Sequence, residues 1–69
     1  MSVERANEII RKLRIIGARV GVMHSAWESI YELECAIEGK KCALTGKTES
    51  IDEVINDLVS YYRKFGHEL

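Results

Sequence analysis

Along the N-terminal stretch, apolar side chains fall at Val3, Ala6, Ile9, Ile10, Leu13 and Ile16, spacings of three and four that line one stripe of a helix. This predicts a helix over roughly Val3 to Ile16, with Ser2 as its cap, Glu8 and Lys12 as an i, i+4 pair, and Gly17 as its left-handed stop. From Ala18 to His24 the pattern loosens into an alternation, Ala18, Val20 and Val22 against Arg19, Gly21 and Met23, which fits a strand. A connector, Ser25 to Ser29, carries the single tryptophan, Trp27. The sharpest alternation follows: Tyr31, Leu33, Cys35 and Ile37 interleave with Glu32, Glu34, Ala36 and Glu38, the period of a half-buried strand. Gly39-Lys40 then fits a two-residue hairpin turn that sets Glu38 opposite Lys41, Ile37 opposite Cys42 and Cys35 opposite Leu44, with the apolar residues on one face. A helix from Ser25 to Ile37, built on Ala26, Ile30, Leu33 and Ile37, competes for the same residues.

Ser50-Ile51-Asp52-Glu53 is a capping-box pattern with acidic residues in the first turn, where the helix dipole favours them. The helix it opens carries Ile51, Val54, Ile55, Leu58, Tyr62 and Phe65 on its apolar stripe, ends on Arg63 and Lys64, and stops at Gly66. Val59 and Tyr61 fall toward the flanks of that stripe. The predicted order is α-β-β-β-α: an α+β fold in one domain, residues 1–69, with an antiparallel sheet covered on one face by two helices.

Length and composition narrow the function classes. A chain of 69 residues buries only about 60% of its unfolded surface, so the core is thin and a deep substrate pocket is not expected. The 46% hydrophobic and 30% charged content is that of a globular domain. No apolar run approaches the length of a membrane span, and the N-terminal residues lack a secretory pattern, so the expected location is cytoplasmic. The absence of glutamine and proline, with Asn7 and Asn56 as the only asparagines, leans toward a thermophile. Charge is nearly balanced but unevenly placed: five basic side chains face two acidic ones over residues 1–20, and two face five over residues 48–69. A chain so balanced has no general attraction to nucleic acid or an anionic membrane.

No catalytic constellation is visible. Glu32, Glu34 and Glu38 alternate along the outward face of the predicted strand, and there is no phosphate loop or nucleophile–base pair, so no enzyme activity and no cofactor are expected. Cys35, Cys42, His24 and His67 lack the spacing that nucleates a metal site, so no metal is expected either. In the hairpin register the two cysteines sit diagonally, about 7–8 Å apart, which makes them buried thiols by default.

Two resemblances bear on function. The α-β-β-β-α order, with Tyr31 to Ser50 preceding the last helix, resembles the double-stranded-RNA-binding domain fold. That family sets a lysine cluster at the start of its second helix, where this chain has Thr48, Glu49, Ser50, Ile51, Asp52 and Glu53. The resemblance therefore speaks for the fold and against the function. Ile55-Asn56-Asp57-Leu58-Val59-Ser60-Tyr61-Tyr62 resembles the peptide that plugs the pocket of the DNA sliding clamp, an aliphatic residue followed three and four positions later by two aromatics. Ile55 stands where that family has glutamine. With the thermophile-like composition and small size, this is similar to the small archaeal clamp-inhibitor proteins. The likeness implies a replication regulator inserting Leu58, Tyr61 and Tyr62, with Ile55 beside them, into the clamp. The expected function is thus a protein-binding module, a monomer or weak homodimer through the open sheet face. A nucleic-acid-binding module using Arg11, Lys12, Arg14 and Arg19 is the alternative.

Overall fold

The computed structural model describes the backbone of residues 2–20 and 24–69, and all of their side chains except those of 20, 24 and 25. Three helices account for the regular structure: α1 (Ser2–Val20), α2 (His24–Glu38) and α3 (Ile51–Arg63). No strand occurs among the described residues, so the α+β fold and the double-stranded-RNA-binding order are both overturned. The open sheet face expected to support a homodimer is likewise absent among the described residues.

The alternation over Tyr31 to Ile37 has a helical cause. Leu33 and Ile37 are four residues apart and face the other helices, Leu33 with no exposure at all. Tyr31 and Cys35 are also four apart and belong to a second stripe that begins at Trp27. Two helical stripes offset by two residues interleave into the sequence pattern of a strand. The second stripe meets Gly17 of α1 at Trp27 and, along Trp27 and Tyr31, borders a groove with Ala43 and Leu44 of the connection between α2 and α3. The competing helix from Ser25 to Ile37 is the arrangement that forms.

Gly39 is a helix stop and not a hairpin turn. Its φ is +70°, its N–H donates to the Ala36 carbonyl (3.1 Å), and the Lys40 N–H donates to the Cys35 carbonyl (3.1 Å). These are the paired bonds of a Schellman motif, which satisfies carbonyls left open at the end of α2. Glu38 accordingly pairs with Lys40 (3.0 Å), its near neighbour, instead of Lys41.

Gly17 does not end α1, which continues to Val20; the strand expected from Ala18 is helical as far as Val20, its residues 21–23 lie outside the described residues, and residue 24 already belongs to α2. A Cβ at Gly17 would stand 3.1–3.3 Å from the Trp27 indole, so this position is the seat of that ring. Glu8 pairs with Arg5 (3.2 Å) rather than Lys12, and Ser2 is helical, with its hydroxyl donating to Asp52 (2.8 Å). The capping box of α3 forms as expected: the Glu53 N–H donates to Ser50 Oγ (3.2 Å) and the Ser50 N–H donates to Glu53 Oε1 (3.3 Å).

Nineteen residues of α1 extend about 28 Å, matching the 29 Å long axis of the molecule, so α1 is the spine against which α2 and α3 pack. Ala6, Ile9, Ile10 and Leu13 meet Ile30, Leu33 and Ala36 of α2 and Val54, Ile55, Leu58 and Tyr62 of α3. Leu69 folds back onto this core, and Arg5 donates to its carbonyl (2.8 Å). Phe65, expected on the α3 stripe, is 63% exposed.

Candidate protein-docking surface

The clamp-like peptide of α3 is mostly core. Ile55 and Leu58 are buried, and Tyr62 is fully buried with its hydroxyl 3.2 Å from Ser29 Oγ. Tyr61 alone of the four is exposed, its ring 5.3 Å from Tyr62 and 5.1 Å from Phe65. The physical reason is that spacing i, i+3, i+4 suits both an anchor peptide and the buried stripe of an amphipathic helix. In a chain this short that stripe cannot be spared from the core.

The basic residues of α1 are exposed but do not converge. Arg11 and Arg14 line a groove between α1 and α2 with Asn7, Ile10, Ile37 and the carboxylates of Glu34 and Glu38. Lys12 lines a different groove, with Ile15, Ile16 and the chain around His67. Arg19 lies in the last turn of α1. Two of the four cations therefore share their groove with acidic side chains, which opposes a grip on phosphates.

The outward face of α2 combines features that the sequence pattern did not bring together. On one side Trp27, half exposed, and Tyr31 border a shallow groove of 420 Å³ with Ala43 and Leu44. On the other, Glu28, Ser29 and Glu32 form a 330 Å³ groove with Asp57, Leu58 and Tyr61 of α3. Glu28 lines both, so the two grooves form one surface running from the connection across α2 to α3. Burial pushes the Glu32 carboxyl up from its ordinary value, and Glu49, Glu28 and Asp57 push it in the same direction. None of these four carboxylates is in an ion pair among the described residues. The sequence pattern places Trp27 and Glu28 in a connector and Glu32 on the outer face of a strand. Only a helix places Glu28 and Glu32 beside α3 and Trp27 beside the connection.

Among the described residues no group of three or more His, Cys, Asp or Glu side chains could hold a metal ion. No described helix is long and apolar enough to cross a membrane. Comparison with known protein families, curated proteins and solved structures finds no match.

Proposed function

We propose that the domain is a protein-binding module whose docking surface is the α2 face just described, and that it takes a segment of another protein carrying cationic side chains beside an apolar anchor. The observation that carries this reading is four carboxylates, none in an ion pair among the described residues, close to exposed aromatic rings, with the Glu32 carboxyl pushed up by burial and then by its acidic neighbours. A cationic side chain placed there relieves repulsion already present in the free domain, while Trp27, Tyr31 and Leu44 supply apolar area for an anchor. Insertion of Leu58 and Tyr62 into a sliding clamp does not run from the folded domain, because both hold its core.

The test uses three synthetic helical peptides of equal length, one Lys/Leu amphipathic, one Glu/Leu amphipathic and one Lys/Ser. Trp27 fluorescence and amide shift mapping report binding. The Lys/Leu peptide is expected to bind alone, to shift Trp27, Tyr31, Glu32 and Tyr61, and to weaken with salt and with Glu32→Gln. Equal binding of all three, or shifts confined to α1, overturns the reading. Purified sliding clamp serves as a further bait, and capture that survives Tyr61→Ala argues against a role for the clamp-like peptide.

A further inference from the structure

The outward face of α1 carries the chemistry that the α2 face calls for. From Ile9 to Val20 the helix has Arg11, Lys12, Arg14 and Arg19 and no acidic residue. Ile15 lies in the middle of this stretch and is 54% exposed. Arg11 and Arg19 stand four residues to either side of it, Lys12 and Ala18 three, so all four share its face, and all are exposed. None of the four cations is in an ion pair among the described residues. Of the carboxylates that border the grooves beside them, Glu38 already pairs with Lys40 (3.0 Å) and Glu68 faces Arg63 (3.9 Å), which leaves Glu34. The chain thus presents an exposed aliphatic side chain ringed by cations, and elsewhere a surface where Glu28, Glu32 and Asp57 lie beside Trp27, Leu44 and Tyr61.

Resting on the reading of the α2 face as a docking surface, we propose that its occupant is this patch of α1 from a second copy of the chain. Each of the three helices packs against the other two, so the groove between α2 and α3 opens on the side of the bundle away from the outward face of α1. The two surfaces cannot meet within one molecule. Between molecules, Ile15 supplies the apolar anchor beside Trp27 and Leu44, while Arg11, Lys12 and Arg19 meet the carboxylates of α2 and α3. The contact is heterologous: the patch that inserts differs from the face that receives, so each added copy leaves one of each free. Assembly therefore grows as an open chain unless its rotation closes a ring. A contact of standard size takes about 800 Å² from each partner. Two outward turns of α1, about 11 Å of helix, offer only part of that area. The contact is accordingly weak, dependent on concentration and sensitive to salt.

Sedimentation velocity of the native domain, from micromolar to millimolar concentration in low and high salt, needs no variant to fold. At low salt the weight-average coefficient is expected to rise beyond that of a dimer, and high salt is expected to weaken the association about ten-fold or more. Ile15→Glu and Glu32→Lys, each checked for native helicity by circular dichroism, are expected to be monomeric alone, because each lacks one side of the contact. When they are mixed, the intact α2 face of the first takes the intact α1 patch of the second. A one-to-one dimer then forms and grows no further, a rescue that a contact between like patches does not give. A native domain that stays monomeric while it binds the Lys/Leu peptide overturns the self-contact and leaves the docking surface standing. If the peptide fails to bind as well, both fall. Association that survives either variant, or variants that remain monomeric when mixed, also overturns the proposal.

Discussion

Tyr61 and Tyr62 are adjacent in the chain and opposite in role, and this difference can be measured. Tyr62 is fully buried and shares a hydrogen bond with Ser29 across the α2–α3 contact. Tyr62→Phe keeps the ring and removes that bond, at a cost of about 1 kcal/mol. The loss stays near this figure because the Ser29 hydroxyl can turn to the carbonyl one helical turn before it. Tyr62→Ala also empties the centre of the core, at about 3–5 kcal/mol by analogy with other large aromatic truncations. Tyr61 is 45% exposed, so Tyr61→Ala removes an edge contact with Tyr62 and a tilted contact with Phe65 at the surface and is expected to cost about 0.5–1 kcal/mol. For 69 residues the unfolding entropy near the midpoint is about 0.14 kcal/mol per kelvin, so each kcal/mol moves the midpoint by about 7 °C. The whole domain has about 3–10 kcal/mol of stability. Tyr62→Phe should therefore melt several degrees low as a cooperative unit, and Tyr62→Ala should be largely or wholly unfolded. Circular dichroism melts of the three variants and the native protein decide the matter. A Tyr62→Ala variant as stable as Tyr61→Ala would refute the placement of Tyr62 in the core and return the clamp-like peptide to the surface.

Three further outcomes follow from single contacts. Gly39→Ala forces a side chain into the left-handed conformation that stops α2 and should cost about 1–2 kcal/mol in urea unfolding; an unchanged midpoint would mean that the Schellman end does not form. Glu32→Gln removes a carboxylate whose folded-state pKa is raised by burial and by Glu49, Glu28 and Asp57. The folded state holds that proton more tightly than the unfolded one, so charging Glu32 destabilises the fold as pH rises through the ordinary glutamate value, fully above the raised one. The variant should thus melt higher than the native protein at pH 7 and equally near pH 3, with the gap narrowing in salt. Gly17→Ala gains up to about 1 kcal/mol of helix propensity against a Cβ pressed on the Trp27 ring. That ring is half exposed, so it is expected to give way outward, with a small net stabilisation and altered Trp27 fluorescence; a loss of stability would show that the ring is fixed.

The amino-acid sequence by itself determined the parts whose signal is local. The α1 stripe, the Ser50–Glu53 capping box and the α3 stripe depend on residues within two turns of one another, and all three stand in the structure except at the stripes' outer ends, where Val3 and Phe65 are exposed. It also determined the unequal charge of the two ends, from which the exposed cations of α1 and part of the acidic surface follow. Only the tertiary structure decided α2. Its two apolar stripes add up to a period of two, and a strand and a doubly covered helix are indistinguishable until the covering layers are known. Gly39 was equally ambiguous, because a positive φ serves a hairpin and a Schellman end alike. The functional surface lies downstream of those two decisions. Trp27, Glu28 and Glu32 reach Leu44, Asp57 and Tyr61 only when α2 is a helix, and Tyr62 becomes core rather than anchor because a chain this short has few other large side chains to fill its centre.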